Sequence, residues 1–319
     1  MSQLPRRLLP LLPLLPLASA TARAQGGRPL RIIVPFAAGG IIDVMARILA
    51  EPLAQRLGQP VVVENQPGAG SVIGARSVAR SAADGLTLLV SGAAHAVIPA
   101  LYPDAGVDPV RDFTPIALLG QQPFVLAVHP SNPARDVPGL LGWLRAQGGA
   151  ARFATTGIGA ASHLAGELLK KLAGVDFEVI TYRGTPAAVT DLVAGRVDFM
   201  LDSQTLLAPL AADGRVRALA VTSAARSATL PDLPTLAEAG GLAGYDASSW
   251  QAMYGPAGLP APLVDRLRQA LAQVLEEPAV QERMARSGLQ PLRGDLAAFL
   301  AAEQARWLPI LAATGARGG

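Results

Sequence analysis

Twice in this chain a short β-branched run ends in small residues and glycine and passes directly into an amphipathic helix. The first instance is LRIIVPFAAGGIIDVMARIL, residues 30–49, and the second is ARFATTGIGAASHLAGELL, residues 151–169. A run of this kind reads as a strand, and apolar residues recurring at helical spacing read as a helix. A glycine turn between the two leaves the backbone N–H groups of the first helical turn open and places a partial positive charge there. That is the way proteins build sites for anions, and its repetition predicts an α/β chain with two related halves.

The remaining pattern extends the alternation. Helices are expected over Ile41–Leu57, with Met45, Leu49 and Leu53 on one face, and over Ser71–Arg80, Val137–Ala146, Ala161–Ala173, Pro186–Ala194 and Gln204–Ala212. Between them VVVEN, LTLLVS, FEVITY, VDFML and VRALAVT read as strands, and TPIALLG and PFVLAVHP as two strands in succession. The stretch from Ala228 to Pro262 is rich in proline and glycine and reads as a hinge region with Tyr245 and Trp250 as anchors. Helices over Pro262–Leu275, Pro278–Arg286 and Asp295–Leu311 follow. Two α/β lobes joined by two crossings result. Residues 25–123 open the first lobe, 124–228 form the second, and 229–319 return to the first. Ligands in such folds sit at the carboxyl ends of strands and between domains.

Residues 1–24 are set apart as a signal peptide. Arg6 and Arg7 make a basic start, Leu8 to Leu17 an apolar core, and Ala22-Arg23-Ala24 a small-x-small cleavage pattern. The core is shorter than the about 20 apolar residues that span a bilayer, and Pro10, Pro13 and Pro16 interrupt it. Without this segment the chain carries 24 basic and 24 acidic residues, so a nucleic-acid partner is not indicated. The absence of cysteine excludes disulfides and thiolate metal sites.

Several side chains are candidates for chemistry. Asp43 falls in the first turn after the first glycine loop, suited either to the helix dipole or to a polar ligand contact. Ser162 suits either a helix cap or an anion contact. The segment PGAGSVIG has the spacing G-x-G-x-x-x-G, one residue too long for a dinucleotide fingerprint, and reads as a turn and helix entry. Ser162 and His163 are adjacent but lack a G-x-S-x-G elbow. His95, His129 and His163 are too scattered for a metal site. No catalytic set and no cofactor is expected.

In combination, PFAAGGIIDVMARILAEPL, VVVENQPGAGSVIGA, TLLVSGAAHAVIPALY, FATTGIGAASHLAGELL, VITYRGTPAAVTDLVAGRVDFMLD, VRALAVTSAARS, LPDLPTLAEAG and SWQAMYGPAGLP resemble the Bug (TctC-type) periplasmic solute-binding proteins of tripartite tricarboxylate transporters. The resemblance runs nearly the length of the mature chain. It implies a two-lobed type II periplasmic-binding-protein fold with a ligand cleft between the lobes. It implies capture of a small carboxylate, and membrane subunits of such a transporter as partners. The site it implies comprises Phe36, Ala38, Gly39, Gly40 and Asp43 in the first lobe, with His95. In the second it comprises Thr156, Gly157, Ser162, His163, Tyr182, Gly184, Pro186 and Asp202. Tyr182 serves equally as a packed aromatic, and Asp202 either accepts from a ligand amine or hydroxyl or caps the helix near Ser203. Ile41, Ile42, Ala93 and Ala94 stand where hydroxyls or smaller residues are common, which points to a carboxylate less polar than citrate. A ligand sensor for a membrane kinase, or an exported hydrolase built on Ser162 and His163, are the competing readings.

Expressed with its leader, the protein should be recovered from the periplasm with Gln25 as its first residue. Intact mass spectrometry of the periplasmic fraction reads this directly, and a membrane-bound chain retaining Met1 contradicts it.

Overall fold

The structure is a computed structural model and describes residues 27–227 and 229–318. The proposed leader and its cleavage site lie outside the described residues. The first lobe begins with β1 (Leu30–Val34), α1 (Ile41–Leu57), β2 (Val61–Asn65), α2 (Val72–Ala79) and β3 (Thr87–Ser91). Strand β1 pairs in parallel with both β2 and β3. Two single-turn helices follow, α3 (Ala93–Ala96) and α4 (Ile98–Leu101), and then the long strand β4 (Phe113–Val128). The second lobe repeats the scheme with α5 (Val137–Gln147), β5 (Arg152–Thr155), α6 (Ala161–Ala173), β6 (Glu178–Thr181), α7 (Thr185–Val193) and β7 (Phe199–Ser203). Strand β5 pairs in parallel with β6 and β7, the same order that β1 has with its neighbours. Helix α8 (Gln204–Ala212), β8 (Arg217–Val221) and α9 (Leu236–Gly240) complete this lobe, and β9 (Ser248–Pro256) returns to the first. Helices α10 (Ala261–Leu275) and α11 (Pro278–Arg286), the two-residue strand β10 (Gln290–Pro291) and α12 (Leu296–Thr314) end the chain.

The elements form where apolar side chains have a core to enter. Met45, Leu49 and Leu53 of α1 are fully buried beneath the first sheet, together with Leu267, Leu271 and Val274 of α10. In the second lobe Phe153, Phe177 and Phe199 pack ring against ring, 5.0–5.2 Å between centroids. Pro52 lies inside α1 and has no N–H for the carbonyl of Ile48. Arg283 of α11 supplies the missing donor, its guanidinium 3.3 Å from the Ile48 oxygen. Helix α12 lies along α6 as well as against α3 and α4, so the C-terminus touches both lobes.

Two elements differ from the sequence expectation. TPIALLG and PFVLAVHP are one strand of 16 residues rather than two. Its first part pairs with β9 and its last part with β7 and β8, so it belongs to both sheets. Pro123 marks the changeover, a place where a strand tolerates the loss of a donor. The second difference is β9, which lies within the stretch expected to be a hinge. It is buried along nearly its whole length between β3 and β4. A strand covered on both faces shows no polar alternation, and its proline and glycine flanks obscure it.

Thr222 fastens the place where the chain crosses between lobes. Its hydroxyl donates to the carbonyl of Ala247 at 2.6 Å and accepts from the N–H of Phe124 at 2.7 Å. Its own N–H bonds the Phe124 carbonyl at 3.0 Å, and its carbonyl accepts from Ala247 at 2.9 Å. The side chain is fully buried. Thr222→Val keeps the shape and strands a buried donor and acceptor, so urea unfolding should show stability falling by about 2–3 kcal/mol.

Candidate functional site

The carboxyl ends of the two parallel sheet segments face one cavity of about 910 Å³. Four strand-to-helix loops wall it: residues 35–40 before α1, 67–71 before α2, 156–162 before α6 and 181–185 before α7. Phe124, Asp202 and Ser249 line it from the crossing region, and Ala93, Ala94 and Tyr102 from the first lobe. Arg183 and Asp202 are its charged lining residues.

The N-terminus of each of these four helices is left without a side-chain cap. The N-cap residues are Gly40, Ser71, Ala160 and Gly184, and none accepts a first-turn N–H. Helices α5, α9 and α12 are capped conventionally by Asp136, Thr235 and Asp295, whereas α8, α10 and α11 also lack a side-chain cap. Four helix N-termini and their partial positive charges thus converge on one chamber, although the first N–H of α2, that of Val72, is already given to the Ala69 carbonyl.

Each principal glycine loop is clasped from behind by the side chain four residues further on. The N–H of Gly39 donates to Asp43 Oδ2 at 2.9 Å, and the N–H of Gly159 donates to His163 Nδ1 at 3.2 Å. Asp43 also accepts from Asn65, which donates in turn to the Phe36 carbonyl. Burial would raise the Asp43 carboxyl, but hydrogen bonds from Arg47, Gly39 and Asn65 outweigh it and hold it below its ordinary range. Burial pushes His163 down to about 4, with Lys170 adding to the effect, so the imidazole is neutral at neutral pH. Its Nε2 faces Glu167 at 3.7 Å.

Phe36, Gly40, Thr156, Gly157, Ser162, Tyr182, Gly184 and Asp202 line the cavity as the sequence suggested. Six expected residues do not. Asp43 and His163 are buried behind their loops, and Ala38 is exposed. Gly39 and Pro186 border a smaller groove beside α7 and α8. His95 is fully buried between Phe113 and Tyr254, 4.5 and 4.4 Å between ring centroids, because the helix carrying it turns that face into the core. Ser162 Oγ lies 2.9 Å from Thr155 Oγ1, and His163 Nδ1 is engaged by Gly159 rather than by this serine. Asp202 does not cap α8; it accepts from the N–H of Ser203 and from the hydroxyl of Thr185. The Tyr182 hydroxyl is committed to Asp191 at 2.7 Å while its ring faces the cavity.

The sequence reading missed the loop Pro67–Ser71, and with it Tyr102, Phe124, Ile158, Arg183, Thr185 and Ser249. The signal for the loop was its glycine spacing, set aside as a turn. Arg183 and Thr185 stood within TYRGTP. Gly70 shows how closely the lobes meet there. A Cβ on it would lie 2.4 Å from the Tyr102 ring and 2.7 Å from the carbonyl of Ile158 in the second lobe.

A two-lobed α/β chain with an interlobe chamber at helix N-termini has the type II architecture of periplasmic binding proteins such as BugD. The model of the tripartite tricarboxylate transporter family receptor, TctC, matches residues 45–316, and the chain belongs to that family. BugT of Bordetella pertussis is 36% identical over 305 residues, covering 94% of this chain and 93% of the relative. The structure of MatC from Rhodopseudomonas palustris with bound malate is 33% identical, covers 89% of this chain and 98% of that one, and superposes with a TM-score of 0.82. A second R. palustris protein, solved with adipate, is 33% identical over 90% of this chain and 97% of its own, with a TM-score of 0.84. Among the described residues no helix is long and apolar enough to cross a membrane.

Burial lifts the Asp202 carboxyl to about 6 from an ordinary 3.8, against the pull of Ser203 and Thr185. A carboxyl raised in the folded state weakens the fold above pH 6 and costs nothing below pH 4. Asp202→Asn preserves the shape and removes the charge. Thermal unfolding without ligand should show it more stable than the parent at pH 7.5 by about 2–3 kcal/mol, a gain that fades as pH falls from 6 to 4.

Proposed function

We propose that this chain is exported, loses its leader near Ala24, and captures a small carboxylate in its interlobe cavity for the membrane subunits of a tripartite tricarboxylate-type transporter. The observation that carries the reading is the convergence of four uncapped helix N-termini on that cavity. Such groups satisfy a carboxylate's lone pairs and charge, and Arg183 adds a cation to the same lining. Apolar contacts from Phe36, Ile41, Ile42, Phe124 and Ile158 suit the carbon skeleton of the ligand. Two family members hold malate and adipate, ligands of the same chemistry. The ligand is released unchanged: Ser162 has no base positioned to activate it, since its hydroxyl faces Thr155 and the neighbouring imidazole faces away.

Binding to the folded state alone stabilises it by about 2.7 kcal/mol when ligand exceeds its dissociation constant a hundredfold. A melting screen of carboxylic acids should therefore return at least one clear upward shift, with the acid recovered intact. Gly40 has φ −77° and ψ 164°, ordinary N-cap geometry, and a Cβ there meets nothing closer than 3.7 Å. In Gly40→Asp the new carboxylate caps α1 itself. The apo protein should melt no lower than the parent, and the ligand-induced shift should vanish. Hydrolysis of an ester panel by the parent, lost in Ser162→Ala, would establish the hydrolase instead.

A further inference from the structure

Three buried amide atoms at the crossing between the lobes lack partners, and their chemistry is complementary. Gln122 and Gln251 are fully buried. Both amide atoms of Gln122 and the Oε1 of Gln251 make no hydrogen bond among the described residues. Buried amides are normally paired, and an unpaired one costs stability. Gln122 opposes Ser249 in the β4–β9 register and Gln251 opposes Gly120, so the two glutamines are diagonal neighbours on one face. Gln251 Nε2 donates to Ser249 Oγ at 3.0 Å, and Ser249 lines the cavity. A further amide approaches from the second lobe. Gln204 opens α8 and accepts from Ser227 and Thr229 with its Oε1, while its Nε2 makes no hydrogen bond among the described residues. A Cβ on Gly288 would lie 2.9 Å from Gln204 Nε2 and 3.3 Å from Gln122 Oε1. This glycine therefore leaves a gap with a donor on one wall and an acceptor on the other.

The gap lies on the far side of the crossing from the mouth of the cleft. Gly120 and Gln121 of β4 pair with β9 along one edge and with β10 along the other, and Gly288 leads into β10. Beyond β9 come β3, β1 and β2, and the loops after β1 and β2 reach the opposite lobe. A Cβ on Gly184 would lie 3.5 Å from the Ala37 Cβ there, and one on Gly70 would lie 2.7 Å from the Ile158 carbonyl. The lobes thus stand closed at the mouth while the amides stand apart behind the crossing. A rotation about β4 and β9 that parts the first set of contacts presses the second together. We infer that Gln122, Gln204 and Gln251 form a latch for the open state of the lobes. In it Gln204 Nε2 donates to Gln122 Oε1, and Gln122 Nε2 donates to Gln251 Oε1, so all three unpaired atoms find partners. Closure breaks both bonds. The empty protein is therefore biased towards opening, and a captured ligand is given up more readily.

The chain has no cysteine, so Ser77→Cys in α2 and Ala187→Cys in α7, both exposed, place one spin label on each lobe. Pulsed electron paramagnetic resonance on the labelled protein without ligand should show a shorter and a longer distance. Gln122→Met in that background replaces the unpaired amide with an apolar chain, so its melting temperature should equal or exceed the parent's. Its ratio of longer to shorter distance should fall about tenfold, the effect of one to two net hydrogen bonds. Gln204→Met leaves Ser227 and Thr229 bonded to each other at 2.9 Å and should lower the same ratio. The double variant should fall no further than Gln122→Met, since the two side chains act through one contact. If Gln122→Met folds poorly, Gln204→Met carries the test alone. A single distance in the empty parent, or a ratio that the variants leave unchanged or raise, would overturn the latch. The measurement uses no ligand, so carboxylate capture stands or falls separately.

Discussion

Strand β4 is the constraint on which the arrangement of the molecule depends. It is a single run of backbone that spends its first half in one sheet and its last half in the other. Each sheet also contains a parallel trio with one strand order, β2-β1-β3 in the first lobe and β6-β5-β7 in the second. Strand β9 lies antiparallel between the first trio and β4, whereas β7 of the second trio pairs antiparallel with β4 directly, so the two trios run in opposite senses and their carboxyl ends meet across a common cleft. Helices leave a parallel strand at that end, so the four N-termini arrive together as a consequence of topology. Thr222 holds the crossing in register through the backbones of Phe124 and Ala247.

Given that topology, the glycine loops need shape without competing charge at their open face. The two clasps solve this in different ways. Asp43 is ionised, and its charge is directed away from the cavity into a network with Arg47 and Asn65. His163 is kept neutral by burial and accepts from Gly159 with one ring nitrogen. Both side chains use up one backbone N–H to fix the loop and leave the first-turn donors of the helix for a ligand. A side-chain cap on α1 or α6 would have satisfied those donors internally.

Much of this was legible in the sequence where a single physical signal was unopposed. Helices α1, α6, α8 and α11 begin and end at the residues that periodicity, glycine and proline indicated. The paired glycine loops led directly to Phe36, Gly40, Thr156, Gly157 and Ser162. Illegible were features set by neighbours distant in the chain. Strand β9 is buried by β3 and β4, over 120 residues away from it at the far end, so nothing local marks it as a strand. His95 was placed in the cleft by the family resemblance alone, but Phe113 and Tyr254 claim its ring. Asp43 and His163 stood at the right loops; only the direction of their side chains, set by Gly39 and Gly159, shows that they serve the loop rather than line the chamber. The glycine spacing of residues 67–71 was visible, but its left-handed backbone was not.

The placement of β9 between β3 and β4 also bears on the order in which the molecule comes into being. During synthesis the second lobe's trio, β5 to β7, is available once residue 203 has emerged, whereas β3 keeps an unpaired edge until residue 256 has followed. The first sheet is therefore closed by a segment made after the entire second lobe, and its long-range pairing is slow to form. Until then the nascent chain carries an open apolar edge of the kind that invites association with other chains. A newly made molecule thus keeps its first sheet open for most of its elongation and closes it only when β9 has been added.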